Sequence, residues 1–275
     1  MPELPEVQTV LTGLRPVMDN QIIAYIETHR VGLRYPFDAH MDTYCTGATV
    51  TSMQRLSKYL VIRLSTGKSL ISHLGMSGKY TVVKQGSNAP LEKHDHFVIH
   101  MQSGDKVIYN DPRRFGFLIS VDSSDEAEER HLKKLGVDPT GADLTDIYLY
   151  NALQKRKTNI KTALLDQSII AGLGNIYACE ALWRSGICPT TEVNTISKKK
   201  ASVLRNHIID VIDQAIKAGG SSLKDYRQAD GAMGYFQHAF AVYGRENDDC
   251  NHCSTPIKRI TQSGRSTFYC PQCQK

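Results

Sequence analysis

The chain has 275 residues, of which 41% are hydrophobic and 22% are charged. At about 150 residues per domain, this length predicts one large domain or two ordinary ones. The composition excludes a mainly disordered, collagen-like or coiled-coil chain. No stretch approaches the roughly 18 uninterrupted apolar residues of a transmembrane helix. The first six residues lack the basic start and the apolar core of a signal peptide.

The net charge of +5 is unevenly distributed along the chain. Residues 1–150 carry 16 Lys and Arg against 18 Asp and Glu, a net charge of −2. Residues 151–275 carry 17 against 10, a net charge of +7. The second part therefore supplies a positive field that could hold a polyanion, although a solvated basic surface would give the same count.

The first predicted element is a helix over residues 5–15. Its apolar residues Val7, Val10, Leu11 and Leu14 recur at helical spacing, and Pro16 is expected to end it. Short alternating runs separated by Gly and Ser then fill residues 22–120, which is typical of a β-sandwich or barrel. The predicted strands are Leu60–Leu64, Ser69–Leu74, Lys79–Val83, Phe97–Met101 and Lys106–Tyr109.

An acidic segment, Asp122–Glu129, predicts a surface stretch near a domain boundary. Beyond about residue 145 the pattern is helical. Ser197 can cap a helix that runs to Ala218 and stops at Gly219. A loop rich in small and polar residues follows, to about Gly234.

Four of the seven cysteines lie in the last 26 residues, as two C-x2-C pairs separated by sixteen residues. Such pairs place thiolates on two sides of a tetrahedral Zn²⁺, and four thiolates leave no open position for catalysis. We therefore predict one structural zinc ion and no disulfide framework. The residues between the pairs predict a β-hairpin with Arg265 at its tip. His252 could replace one ligand, but the four cysteines already complete the set: Cys250, Cys253, Cys270 and Cys273.

The Met1-Pro2 start predicts a possible amine nucleophile. A small second residue favours removal of Met1, which would expose the secondary amine of Pro2. An α-amine has a reference pKa of about 7.7–8.0 against about 10.4 for Lys, so more of it is neutral at pH 7. Glu3 and Glu6 could supply acid–base chemistry. The alternative is an ordinary helix start in which Glu6 is stabilised by the helix dipole.

Six ordered motifs across the chain resemble the formamidopyrimidine-DNA glycosylases, the bacterial 8-oxoguanine repair enzymes. They lie at residues 2–7, 58–60, 73–78, 111–116, 172–177 and 250–273. Two positions depart from the family pattern: Ser57 stands where Gly is frequent, and Leu56 where a basic residue is frequent.

The resemblance implies an α+β multidomain fold: an N-terminal β-sandwich, a helical helix–two-turn–helix domain and a C-terminal zinc β-hairpin. We place the catalytic sandwich at residues 1–121 and an acidic linker at 122–144. The helical domain follows at 145–240, with a lesion loop at 219–235, and the four-cysteine finger occupies 241–275.

The resemblance also implies a bifunctional glycosylase and abasic-site lyase. It would excise 8-oxoguanine and formamidopyrimidines from double-stranded DNA through a Schiff base on the N-terminal proline. β,δ-Elimination would then cut both sides of the abasic site. The residues expected to act in catalysis are Pro2, Glu3, Lys58 and Arg265.

A base in a duplex must be everted before a protein amine can reach its sugar. By resemblance, Met76, Arg113 and Phe115 enter the helix that the nucleotide leaves, although core packing would also explain the two apolar residues. Asn175 heads a predicted helix whose N-terminus can hold a phosphate. The full set expected to bind DNA is Glu6, His73, Met76, His94, Arg113, Phe115, Lys161, Asn175, Ile176 and Tyr243.

Three histidines, His94, His96 and His100, would share one face of a strand. A second metal site is one interpretation, but we favour a solvated polar face, which explains them without a metal, and the resemblance assigns no metal there.

Two other functions remain open. An endonuclease VIII-like enzyme would use the same proline chemistry on oxidised pyrimidines, but that subfamily usually has Gly where this chain has Leu4, and it lacks the Met, Arg and Phe set. A zinc protein that binds lesions without catalysis would not need Pro2 and Glu3. We expect damaged double-stranded DNA as the partner, no membrane, no nucleotide cofactor and a monomer in the bacterial cytoplasm, associated with the nucleoid.

Overall fold

The computed structural model describes residues 2–87, 90–221 and 236–275. These residues form two compact units. The first contains the chain up to Lys133 together with Ala218–Ser221, and the second contains Lys134–Lys217 and Phe236–Lys275. Most of the predicted lesion loop, residues 222–235, lies outside the described residues.

The first unit contains two four-stranded antiparallel sheets, in the orders β1-β6-β7-β5 and β2-β3-β4-β8. Its elements are α1 (Leu4–Met18), β1 (Ile23–Thr28), α2 (Met41–Cys45), β2 (Val50–Leu56), β3 (Tyr59–Leu64), β4 (Lys68–His73), β5 (Lys79–Val83), β6 (Asp95–Met101), β7 (Lys106–Asn110) and β8 (Phe117–Asp122). The predicted β-sandwich is confirmed, and each predicted strand is present with its ends within two residues.

One apolar core joins both sheets to α1. Leu14 of α1, Ile62 of β3 and Phe97 of β6 are all completely buried in it. The alternation predicted for β3 holds, since Leu60, Ile62 and Leu64 all lie in this cluster. Alternate side chains of a strand lie on one face of its sheet, and side chains three to four apart lie on one face of a helix, so these residues meet in one core.

The predicted end of the first helix at Pro16 is wrong, because α1 continues to Met18. Proline lacks the N–H that would bond to the carbonyl four residues earlier, but a single lost bond in a last turn is tolerated when packing compensates. Here Val17 and Met18 are buried in the core, and the Arg15 Nη2 donates to the Met53 carbonyl at 3.0 Å.

The acidic segment after β8 is a 3-10 helix, Ser123–Glu128, and not merely a solvated stretch. Glu126 accepts from the guanidinium of Arg63 at 2.6 and 2.8 Å. This acid therefore ties the segment to β3, while its neighbours remain exposed.

The second unit is helical and ends in a two-stranded hairpin. Its elements are α3 (Asp146–Gln154), α4 (Ile160–Leu164), α5 (Asn175–Arg184), α6 (Lys198–Lys217), β9 (Lys258–Gln262) and β10 (Arg265–Tyr269). Ser197 caps α6 as predicted, since its Oγ accepts from the Lys200 N–H at 3.2 Å. Asn175 heads α5, also as predicted.

The zinc hairpin and α5 share an apolar cluster. Cys179 of α5 packs with Val242, Ile257 and Phe268. The Gln274 amide extends this contact, because its Nε2 donates to the Ile187 carbonyl at 2.9 Å and its Oε1 accepts from the Cys270 N–H at 2.8 Å. The domain boundaries at residues 121, 144 and 240 remain predictions.

Among the described residues, no helix is both long enough and apolar enough to cross a membrane.

Candidate active site

The start of α1 places three candidate residues inside the first unit. Pro2 is buried, and Glu3 and Glu6 are each 1% exposed. The Glu3 N–H donates to Glu6 Oε2 at 2.8 Å, which fixes the backbone directly after Pro2. Such a bond from the residue before a helix to an acid three positions later is half of a capping box.

The other oxygen of Glu6 holds the segment that follows α6. Glu6 Oε1 accepts from the N–H and the hydroxyl of Ser221 at 2.8 and 2.9 Å. Gly220 is left-handed, with a φ of +78°, and a Cβ there would lie 3.1 Å from Glu6 Oε1. One buried carboxylate thus joins the residue after Pro2 to the described end of the predicted lesion loop.

Lys58 lies on the two-residue turn between β2 and β3. Leu56 pairs with Tyr59 across this turn, and Ser57 takes a left-handed φ of +58°. Glycine adopts that conformation without cost, which explains why Gly is frequent there in the family. The Arg55 Nη1 donates to the Ser57 carbonyl at 3.1 Å and supports the turn.

His73 is a neutral, largely buried histidine. The Gly75 N–H donates to its Nδ1 at 3.0 Å, and its ring stacks on Phe117 with centroids 5.4 Å apart. Burial, with the charge of Lys58 next in size, lowers the pKa of His73 to about 4. The structure therefore brings Lys58 and His73 together, but His73 carries no charge at neutral pH.

Two turns present the candidate helix-inserting residues. Met76 is 36% exposed and Phe115 is 48% exposed, whereas core packing would have buried them. The Arg113 guanidinium carbon lies 5.0 Å from the centre of the Phe115 ring. We call residues 75–77 and 113–116, the two turns that carry these side chains, the wedge turns.

Glycines let the wedge turns touch backbone to backbone. A Cβ on Gly75 would lie 2.4 Å from the Gly116 nitrogen and 2.5 Å from the Phe115 carbonyl carbon. A Cβ on Gly116 would lie 1.8 Å from the Tyr109 hydroxyl and 2.6 Å from the His73 carbonyl oxygen. A larger residue at position 75 would push the two turns apart, and one at position 116 would push the second turn away from Tyr109 and His73.

Asp111 was not predicted as a site residue, yet it is completely buried between the wedge turns. Its Oδ1 accepts from the Ser77 hydroxyl at 2.6 Å, and its Oδ2 accepts from the Gly116 N–H at 2.9 Å. The sequence signals were its place at the start of the 111–116 motif and its position between a predicted strand and Pro112. The second signal is weak, because aspartate is common in any turn.

The prediction that three histidines share one solvated face of a strand is wrong. His94 lies before β6, and the register shifts between Asp95 and Phe97. His96 is 3% exposed and donates from Nε2 to the Asp111 carbonyl at 2.8 Å. His100 stacks on Tyr25. Within the described chain, the four C-terminal cysteines are the one group with metal-ligand geometry.

In the second unit, the carbonyl of Ser266 accepts hydrogen bonds from two candidate DNA-binding residues. Asn175 Nδ2 and Lys161 Nζ donate to it at 2.9 and 3.2 Å, and Lys161 also donates to Thr267 Oγ1 at 2.7 Å. Lys161 has no exposed surface and here positions the hairpin, while its expected place at the DNA stays a prediction. Sequence could not show this burial, since a helix lysine is usually solvated.

Arg265 is the residue before Ser266 and begins β10. The turn itself consists of Ser263 and Gly264, with φ of +49° and +73°, so Arg265 lies beside the tip and not on it. It is exposed. Ile176 is 3% exposed, so only its backbone could reach a ligand.

Glu180, on α5, is a second residue that the sequence did not indicate. Its carboxylate is 1% exposed and accepts from the N–H groups of Ala241, Val242 and Tyr243 at 2.8–3.0 Å. Burial raises the pKa of Glu180, although the three hydrogen bonds oppose that shift. Tyr243 is thereby fixed next to Phe268, with ring centroids 5.1 Å apart.

The four cysteines fit a zinc ion. Their sulfur atoms all lie within 4.8 Å of one another, with 3.9 Å between Cys250 and Cys273 and 3.5 Å between Cys253 and Cys270. Zn–S bonds of about 2.3 Å in a tetrahedron put sulfurs about 3.8 Å apart. Hydrogen bonds from Thr255 lower the pKa of Cys253, whereas burial raises the pKa of Cys270 and Cys273. A bound zinc ion would hold all four as thiolates.

Comparison with known proteins covers the whole chain. Residues 1–118 match the formamidopyrimidine-DNA glycosylase N-terminal domain, 135–227 match the H2TH domain of the same enzymes, and 249–275 match the zinc finger found in FPG and IleRS. The formamidopyrimidine-DNA glycosylase of Ruegeria sp. (strain TM1040) is 49% identical over the full length of both chains. The chain belongs to the formamidopyrimidine-DNA glycosylase family.

Solved structures agree with this assignment. The Lactococcus lactis FPG bound to DNA containing N7-benzyl-Fapy-dG is 36% identical, with a TM-score of 0.91, and each chain is covered completely. The same L. lactis enzyme bound to DNA with an oxidised pyrimidine is 35% identical, with a TM-score of 0.90 and again complete coverage. The protein is therefore a DNA-repair glycosylase with one structural zinc site, and the predicted fold and family are confirmed.

Proposed function

We propose that this glycosylase removes oxidised purines, namely 8-oxoguanine and formamidopyrimidines, from double-stranded DNA and then cuts the strand by β,δ-elimination. The observation that carries the proposal is the buried start of α1. There, Pro2 and Glu3 are enclosed and the Glu6 carboxylate holds the Glu3 N–H at 2.8 Å.

Pro2 is the proposed nucleophile once Met1 has been removed. Its neutral secondary amine would attack the sugar C1′ as the bond to the damaged base breaks, and the base would leave with the electron pair and a proton. This gives a ring-closed aminal; its C1′–O4′ bond then breaks, O4′ takes a proton, and the nitrogen lone pair forms the C1′=N bond of an iminium. The iminium is a cation without needing a proton, so it can accept the electrons released when the C2′ proton is lost. Loss of the 3′ phosphate and then of the 5′ phosphate would follow.

Glu3 is the proposed proton donor to the ring oxygen of the sugar, and Glu6 is a positioning residue. Glu6 Oε2 sets the backbone next to Pro2, while Oε1 holds Ser221. A change at Glu6 would therefore disturb both the nucleophile and the start of the loop that is expected to cover the lesion.

The wedge turns are proposed to fill the place of the everted nucleotide. Met76 and Phe115 are exposed apolar side chains on adjoining turns, as a filler and an inserting ring require. Arg113, stacked over Phe115, can donate to the O2 and N3 acceptors of the unpaired cytosine. Lys58 is proposed to lie near the lesion and its phosphates.

The second unit is proposed to hold the DNA backbone. The first-turn N–H groups of a helix have no acceptor within the helix, so the start of α5 at Asn175 suits a phosphate. Arg265, fixed through the two hydrogen bonds to Ser266, would hold phosphates beside the everted nucleotide. We also propose that the protein works as a monomer in the cytoplasm, at the nucleoid.

Borohydride trapping tests the nucleophile. A labelled duplex with one 8-oxoguanine opposite cytosine should give a covalent protein–DNA band that undamaged duplex does not give. Pro2→Ala keeps a small second residue and an α-amine, so it should still form a band at a reduced rate. Pro2→Gln keeps Met1 in place and should form none.

The outcome also decides the competing functions. Binding to a pyrimidine lesion would not by itself favour an endonuclease VIII-like activity, since the L. lactis FPG was solved with such DNA. Relative rates decide instead: faster excision of an oxidised pyrimidine than of 8-oxoguanine would contradict the purine proposal. No band on any lesion, from zinc-loaded protein confirmed to begin at Pro2, would leave only lesion binding.

A further inference from the structure

We propose that Asp111 is a positioning residue for base eversion, one that locks the two wedge turns into a single body. The proposal rests on the role given above to Met76, Arg113 and Phe115. Asp111 is completely buried and directly follows β7, so it contacts neither solvent nor any group expected to react.

The side chain of Asp111 is shared between the turns. Oδ1 accepts from the Ser77 hydroxyl at 2.6 Å on the first turn and from the Arg113 N–H at 3.2 Å on the second. Oδ2 accepts from the Gly116 N–H at 2.9 Å. The Ser77 hydroxyl oxygen in turn accepts from the Arg113 N–H at 3.2 Å, so the two turns are also bonded directly to each other.

The backbone of Asp111 fixes the same point to the sheet. Its N–H donates to the His94 carbonyl at 3.1 Å, and its carbonyl accepts from His96 Nε2 at 2.8 Å. The carbonyl also accepts from the N–H of Arg114, which has a left-handed φ of +58°. The Arg30 Nη1 lies 3.5 Å from Nδ1 of His96, so Nδ1 accepts and the ring proton lies on Nε2, where the bond to Asp111 needs it. Burial lowers the pKa of His96 and favours this neutral form.

This arrangement suits an acid and not an amide at position 111. A carboxylate accepts on both oxygens, whereas asparagine has one accepting oxygen and one donating NH₂ group. In either orientation, asparagine would set its NH₂ against the N–H of Arg113 or of Gly116. One wedge turn would then be released while the rest of the first unit kept its core.

The test compares Asp111→Asn with Asp105→Asn, at the other end of β7. Asp105 accepts from Lys84 Nζ at 3.0 Å and from the Gln85 N–H at 2.9 Å, so it is also a turn-bracing acid. Single-turnover rates would be measured on 8-oxoguanine opposite cytosine, on 8-oxoguanine opposite adenine, and on a preformed abasic site. Melting temperature and zinc content would verify folding.

For Asp111→Asn we expect excision opposite cytosine to fall about 30-fold, the size of one or two lost buried hydrogen bonds. The preference for cytosine over adenine should shrink at least about fivefold, while abasic-site cleavage should change less than about threefold, because no damaged base has to be everted. Asp105→Asn should change none of the three rates. An equal loss on all three substrates, or no loss, would overturn the proposal.

Two further variants keep the result interpretable. If Asp111→Asn fails to fold, Ser77→Ala removes the 2.6 Å bond to Asp111 and the 3.2 Å bond from the Arg113 N–H, leaves the Asp111 carboxylate in place, and should show the same pattern at smaller size. Phe115→Ala tests the wedge role itself. If it lowers excision and Asp111→Asn does not, the inference about Asp111 fails alone. If neither variant has an effect, the wedge role fails first.

Discussion

The two units support their candidate DNA-binding residues in different ways. In the first unit, Met76, Arg113 and Phe115 lie on two turns whose backbones touch at glycines around the buried Asp111. In the second unit, Arg265 lies on a five-residue strand beside the four cysteine thiolates. The sandwich has a large apolar core to support its turns. The hairpin has a small cluster on α5 and a buried lysine. Close packing is sufficient where a core is large, and a metal replaces it where the core is small.

Loss of the metal should have the largest effect, and only on the second unit. Cys270→Ser removes one of four ligands at a type of site worth about 10–16 kcal/mol in isolated fingers. We expect zinc content to fall and affinity for DNA, measured by fluorescence anisotropy, to drop about 100-fold, or about 2.7 kcal/mol, since Arg265 loses its support. Cys188→Ser, outside the cluster, is the control. If zinc-free protein binds DNA with unchanged affinity, the metal does not replace a core in the second unit.

Packing of the wedge turns should rank second. In Gly116→Ala the new Cβ would lie 1.8 Å from the Tyr109 hydroxyl and 2.6 Å from the His73 carbonyl oxygen, so we expect a loss of about 3 kcal/mol in the free energy of unfolding by urea. Gly86→Ala meets no atom within 4 Å and pays only for a φ of +81°, about 1 kcal/mol. Equal losses in the two variants would show that the turns are not closely packed.

The stability of the first unit should also depend on pH through His73. Its pKa is about 4 when folded and about 6.5 when unfolded, so the unfolded chain binds the extra proton as the pH falls. Between pH 7.5 and pH 5.0 this costs about 2 kcal/mol of folding free energy. His73→Gln can still accept from the Gly75 N–H but does not titrate. The wild-type protein should therefore lose about 2 kcal/mol more than the variant over this range, and parallel losses would refute the buried neutral histidine.

The smallest effect is expected at the Lys58 turn. Ser57→Gly relieves a left-handed φ of +58° but adds freedom to the unfolded chain, so the net gain in stability should be under about 1 kcal/mol. Ser87→Gly offers a comparison at an exposed position whose own φ is not positive, and it should destabilise slightly. A loss at Ser57→Gly as large as at Ser87→Gly would mean that the backbone strain at residue 57 is negligible.

Short-range sequence patterns predicted much of the local structure of this chain. Five of the eight sandwich strands followed from short strand-like runs, whereas β1, β2 and β8 were not predicted individually. The α6 cap followed from Ser197, and the zinc site followed from cysteine spacing. The helix end at Pro16 and the histidine face failed for one reason: burial of Val17, Met18 and His96 overrode a local rule. A local preference of about 1 kcal/mol loses to the burial of a large side chain.

The sequence by itself determined the family, the β-sandwich and helical folds of the two units, and the zinc ligands. These depend on short spacings and on ordered motifs. Only the tertiary structure showed that Asp111, Glu180 and Lys161 are buried supports, each hydrogen bonded to backbone far from it in sequence or across a turn. The sequence does not distinguish a charged residue that bonds to buried backbone from one of the same type on the surface. Its environment decides its role, because a charge without solvent must find its partners in the protein.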